Sequence, residues 1–225
     1  MEKQHKLVIE ILRCLSKIGI LDQTLIIGSW AAAFYKDFFK NAEYLAVIKT
    51  RDIDFLVPNR VRFSHDVDLE ALLADLGFEI SFHRDGSMKL ESDELILEFL
   101  IPEIGPPKTK AYPLPQLKFS AQPLRHLAML WRQPITIELA GIPLKLPHPA
   151  DYCLHKLIIF EQRKTKEKKE KDQTSALMVL DALVEQKIET TLQEAFRNLT
   201  KKEKQSVMNA LKKLGRENIN LKYEK

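Results

Sequence analysis

The chain has 225 residues, 45% of them hydrophobic and 29% charged, a balance that supports a buried core and excludes disorder over most of the length. Apolar runs such as 127–131 and 157–160 fall far short of the ~18 residues a membrane span needs. With only Cys14 and Cys153 present, neither a disulfide framework nor a cysteine zinc site is expected, and a reducing cytoplasm is the expected setting. The net charge of +4 is uneven: residues 1–160 hold 19 basic and 20 acidic side chains, whereas residues 161–225 hold 16 and 11. The C-terminal third therefore presents either a surface for an anionic partner or the solvated face of lysine-rich helices.

A helix is expected from about Glu2 to Lys17, where Leu7, Ile11, Cys14 and Leu15 recur at helical spacing and Gly19 ends the pattern. Thr24–Gly28 is a short apolar strand run, and Ser29–Tyr35 reads as helix, with Trp30, Phe34 and Tyr35 read as core in preference to a base-stacking platform, a role Tyr35 also fits. A loop over 40–49 follows. Asp52–Val57 is the next strand, stopped by Pro58. The segment Asp66–Leu76 carries Leu69, Leu72, Leu73 and Leu76 on one side and ends at Gly77, which predicts a helix.

Three strands are expected next, over Phe78–His83, Ser87–Glu91 and Glu94–Ile101, with Asp85-Gly86 marking a hairpin turn between the first two. The composition of Pro102–Lys110 is that of a linker. A small β portion, Ile135–Leu139 and Ile142–Leu146, turns around Gly141, and helical patterns dominate from Pro149 to the end. The highly charged stretch Arg163–Lys171 reads as a loop or a frayed helical turn. The class is α+β: a mixed sheet with helices over 1–147, then a helical C-terminal part over 148–225.

Three acids stand out by position. In Asp52-Ile-Asp-Phe-Leu-Val57, alternation puts Asp52 and Asp54 on one face of the strand and Ile53, Phe55 and Val57 on the other. Two carboxylates so placed are about 7 Å apart at Cα, close enough to share a divalent ion or to hold one each of a pair. The run Leu95–Ile101 is apolar on both faces except at Glu98. A strand of that kind is normally interior. A carboxylate there must be hydrogen-bonded, cation-bound or paired, a buried arginine being the plain structural partner. Upstream, Gly28-Ser29 lies at a strand-to-helix junction, where glycine admits close backbone approach and free helix N–H groups favour phosphate.

This ordered set resembles the nucleotidyltransferase superfamily that includes DNA polymerase β, the aminoglycoside nucleotidyltransferases and the AbiEii-type toxins. The matching residues are Gly28-Ser29, then Asp52 and Asp54 preceded by Thr50, then Glu98. The likeness covers residues 24–101 and continues more loosely through Pro149–Tyr152, His155–Leu157, Arg163 and Lys171–Asp172, which resemble the helical second domain of minor bacterial nucleotidyltransferase-like families. It implies transfer of a nucleoside monophosphate from an NTP to an acceptor hydroxyl, with Mg²⁺ (or Mn²⁺) held by Asp52, Asp54 and Glu98. Phosphate contacts would come from Gly28, Ser29, Lys156 and Lys171. The acceptor is open among RNA, a protein and a small molecule, and a catalytically silent nucleotide-binding or toxin–antitoxin-type interaction protein of the same fold is the alternative. No membrane partner is expected. The six histidines show no zinc spacing, and no P-loop or Gly-x-Ser-x-Gly occurs.

Overall fold

The computed structural model describes residues 2–40, 50–106 and 110–221, so residues 41–49 of the expected loop, 107–109 of the linker and the last four residues lie outside the described residues. In chain order the elements are α1 (Glu2–Lys17), β1 (Leu25–Ile27), α2 (Gly28–Phe39), β2 (Asp52–Leu56), α3 (Leu69–Leu73), β3 (Glu79–Phe82), β4 (Met88–Glu91) and β5 (Ile96–Pro102). They continue with β6 (Tyr112–Leu114), β7 (Phe119–Leu124), β8 (Ile135–Leu139), β9 (Ile142–Leu146), α4 (Pro149–Ile159), α5 (Lys166–Glu185), α6 (Glu189–Arg197) and α7 (Lys201–Lys213). Two compact units result. One comprises 2–31 with 50–147, the other 32–40 with 148–221.

The first unit is built on a mixed sheet in the order β1-β2-β5-β4-β3. β1 runs antiparallel to β2, β2 parallel to β5, and β4 antiparallel to both β5 and β3. One edge of β5 is taken by β2; the other is shared between β4 along Ile96–Glu98 and β7 along Leu100–Pro102. On one face Phe55 and Phe99 stand opposite each other in register and stack with ring centroids 5.2 Å apart, and Phe119 meets Phe99 edge-on at 5.3 Å. All three are fully or almost fully buried, as are Ile53, Leu97 and Leu90. β8 and β9 form a separate hairpin.

β6 and β7 were not legible in the sequence, because Pro113 and Pro123 argue against interior strands. Both are accommodated: Pro113 sits on the short outer strand β6, and Pro123 near the end of β7. α3 starts later than expected because the Asp68 side chain accepts from Ala71 N and caps it there, and a 3-10 turn carries the chain to Gly77 at φ +77°.

In the second unit α4 is buried along nearly its whole length and packs against α5, α6 and α7. Tyr35 meets Tyr152 edge-on with centroids 5.4 Å apart, and Gln186 Nε2 donates to the Phe39 carbonyl. The charged stretch expected to be loop or frayed turn is helical from Lys166 onward. Thr165 caps α5 by accepting from Lys168 N at 3.4 Å, Glu167 lies in the first turn, and Lys166 pairs with Glu170 one turn on. No helix among the described residues is long and apolar enough to cross a membrane.

His148 caps α4, its Nδ1 accepting from Ala150 N at 3.1 Å with Pro149 at the first helical position. Burial holds its imidazole pKa below the ordinary value, against a smaller upward pull from Glu194. As pH falls through the usual imidazole range the unfolded chain takes up a proton that the folded one resists, so stability must fall. Urea unfolding of the wild-type protein should show this loss between neutral and mildly acidic pH, and His148→Asn, a cap that does not titrate, should flatten it.

Candidate active site

β1 is buried at all three positions and delivers the chain to Gly28, which has φ +69° and opens α2. The pairing of β1 with β2 sets Ile27 opposite Asp54. A Cβ at residue 28 would lie 2.3 Å from Asp54 Oδ2, so only glycine lets the carboxylate sit against the backbone there. Ser29 follows, half-buried, in the first turn of a 12-residue helix whose leading N–H groups have no partner within the helix.

Burial grades along the acidic face of β2: Asp52 is exposed, Asp54 half-buried and Leu56 fully buried. Thr50 clips the start of the strand, donating from Oγ1 to Asp52 Oδ2 at 3.1 Å and accepting from Asp52 N at 3.2 Å. Gln4 in turn holds the Thr50 carbonyl at 3.1 Å.

The parallel register of β2 and β5 places Glu98 directly beside Asp54, on the same face. Continuing across the sheet, Glu98 stands opposite Lys89 on β4, and Lys89 opposite Ser81 on β3. Lys89 does not pair with Glu98. It binds Glu91 Oε1 at 2.5 Å, while Ser81 Oγ donates to Glu91 Oε2 at 2.7 Å. These bonds, Lys89's first, hold the Glu91 carboxyl below its usual range. The partner of Glu98 is His83, whose Nε2 lies 2.9 Å from Oε1. An ionised carboxylate only accepts, so Nε2 carries the hydrogen in this bond. The expected arginine is absent from it; a histidine from the β3–β4 turn takes that place, and the sequence offered only Asp85-Gly86 as a signal for that turn.

For a divalent cation the donor set is chemically suitable: hard carboxylate oxygens from Asp52 and Asp54, beside a glycine cradle that a Cβ would fill. Among the described residues no three His, Cys, Asp or Glu side chains form a ready-made ligand cluster. Magnesium does not require one, since it commonly takes one or two carboxylates and completes its shell with water and substrate phosphate.

The two lysines expected at phosphate lie in the helical unit. Lys156 is buried on α4 and bonds Asp172 Oδ1 at 2.5 Å, with Arg163 Nε on Oδ2 at 2.5 Å; Lys171, next along α5, is exposed. Trp30, Phe34 and Tyr35 are buried, as a core assignment requires.

A sheet ordered this way, with a glycine turn against paired strand carboxylates, defines a nucleotidyltransferase-type α+β fold. The chain belongs to a nucleotidyltransferase family, whose profile matches residues 6–201. Among solved structures it is similar to an antigenic nucleotidyltransferase-like protein from Paracoccidioides brasiliensis, at 12% identity and TM-score 0.50, covering 92% of this chain and 88% of that one. It also matches the antibiotic-resistance factor ANT(2'')-Ia in solution (17% identity, TM-score 0.45, 87% of this chain and 92% of that one) and in complex with adenylyl-2''-tobramycin (15%, 0.45, 86% and 97%). No curated protein matches the sequence.

Two outcomes follow. Gly28→Ala should cost at least ~1 kcal/mol for its left-handed backbone alone, and a crystal structure of the variant should show the Asp54 carboxylate displaced. In the helical unit, burial pushes the Asp172 carboxyl up, but Lys156 and Arg163 outweigh it and hold it low. Its stabilisation is present at neutral pH and is lost as pH falls below the usual carboxylate range. Lys156→Met, which strands the buried carboxylate on Arg163 alone, should cost about 3 kcal/mol in chemical denaturation, and Lys156→Met/Asp172→Leu should recover part of it.

Proposed function

We propose that the protein transfers a nucleoside monophosphate from an NTP to an acceptor hydroxyl. The observation that carries this reading is the alignment of Asp54 and Glu98 on one sheet face, with Asp52 on the same strand and Gly28 packed against Asp54. Family membership supports it independently.

In this reading the acceptor oxygen bonds to the α-phosphorus as the bond from that phosphorus to the bridging oxygen of the β-phosphate breaks, and pyrophosphate leaves. Asp52 and Asp54 would hold Mg²⁺ or Mn²⁺, as one ion or two; its contribution when bound is to neutralise the triphosphate and favour attack at phosphorus. The helix N-terminus at Gly28-Ser29 offers backbone N–H donors to phosphate oxygens. Glu98, beside Asp54 and bonded to His83, would take the hydroxyl proton. Most of the rate enhancement then comes from positioning and charge neutralisation, not from covalent chemistry.

The test supplies the protein and Mg²⁺ with each α-labelled NTP and a cell extract, then asks whether label enters RNA, protein or a small molecule with release of pyrophosphate. Asp52→Asn and Asp54→Asn should each lower transfer by roughly 100-fold or more, with thermal unfolding unchanged or slightly improved because carboxylate repulsion is relieved. Unchanged turnover in Asp54→Asn would sink the assignment. Nucleotide binding with no pyrophosphate release across many acceptors would instead identify a catalytically silent nucleotide-binding or interaction protein.

A further inference from the structure

Resting on that transfer reading, we propose that His83 is the positioning residue for Glu98, fixing the orientation in which the carboxylate receives the acceptor proton. The default partner for a strand carboxylate is the side chain opposite it on the neighbouring strand. Here that residue is Lys89, and it is turned to Glu91 instead. Glu98 is served by a residue two strands away, reaching from the end of β3 past β4. Ser81 and His83 share a face by alternation, so the imidazole stands on the same face as Glu98, two strands across and two residues along from it, and reaches it over β4.

The turn that carries His83 is itself held. His83 N donates to Ser87 O at 2.8 Å, and Gly86 N to His83 O at 3.0 Å, with Gly86 at φ +82°. Asp85 Oδ1 accepts from Ser87 N at 3.0 Å and from Ser87 Oγ at 2.6 Å, while Ala111 N reaches the Asp85 carbonyl at 3.3 Å. A ring mounted on so constrained a turn, with 29% of its side chain exposed against 21% for Glu98, can fix its partner without sealing it from an acceptor. The bond occupies Oε1; Oε2 accepts no hydrogen bond from a described residue.

The test compares wild type, His83→Ala, His83→Gln, Glu98→Gln and His83→Ala/Glu98→Gln in the labelled-NTP assay, alongside calorimetric binding of Mg·ATP. His83→Ala should lower kcat about 10- to 100-fold, the usual range for removing a residue that orients a functional group, with the KM for NTP and the Mg·ATP affinity within about twofold. His83→Gln, whose amide can still donate, should restore most of the rate. The double variant should be no slower than Glu98→Gln alone, because both substitutions act through one group. A His83→Ala protein with undiminished kcat, an effect confined to KM and thermal stability, or additive losses in the double variant overturns the role of His83 while leaving nucleotidyl transfer standing. A wild-type protein that binds Mg·ATP but releases no pyrophosphate overturns both.

Discussion

The whole site depends on the register between β2 and β5. Because side chains alternate, a slip of one residue along either strand would turn its acidic set onto the apolar face and its apolar set outward. The stacked pair Phe55 and Phe99, one residue beyond Asp54 and Glu98 on the opposite face, prevents that slip. Both rings are fully or almost fully buried, and each is worth several kcal/mol to the core. Burial of aromatics on one side of the sheet is therefore what aligns carboxylates on the other. The carboxylates themselves repel and could not set this register unaided.

The same logic explains which parts were legible in the sequence. Asp52–Val57 declares its two faces by strict alternation, and Glu98 is conspicuous as the one polar residue in an apolar run, but that all three acids share a face follows only from the β2–β5 pairing. Gly28-Ser29 was readable as a junction, although the closeness of Gly28 to Asp54 required the β1–β2 pairing. Non-local pairings were not readable. Nothing near His83 in the chain says that a turn closing β3 and β4 will bring its ring to β5. Pro123 reads as a strand breaker, yet β7 takes the part of the β5 edge that β4 leaves uncovered. Arg163–Lys171 misled through charge density, since a threonine cap and an i, i+4 pair make helix out of it from Lys166.

Within the helical unit, several basic side chains are paired internally. Glu161 receives both Lys169 and Lys213, Asp172 receives Lys156 and Arg163, and Arg216 pairs with Asp181. These contacts tie the start of α5 to the end of α7 and to the buried α4. Two of them, on Asp172, involve a carboxylate with 4% of its side chain exposed, where losing a partner is expensive. A cation so placed has a folding role that sequence position alone cannot separate from ligand binding. Exposed lysines such as Lys164, Lys168, Lys171, Lys201 and Lys202 carry the charge available to an anionic partner.

The handling of Lys89 shows the same economy on the sheet. An ammonium facing Glu98 at close range would stabilise its ionised form and make it a poor proton acceptor. Glu91, two residues along β4, bonds Lys89, and Ser81 braces Glu91 from β3. The lysine thus remains on the face as local positive charge, bonded to Glu91 and not to Glu98. An imidazole N–H supplies the hydrogen bond that a carboxylate between Ile96 and Leu100 requires, and it does so through a single directed contact. Orientation and charge compensation are in this way assigned to different residues: His83 bonds Glu98, while Lys89 compensates Glu91.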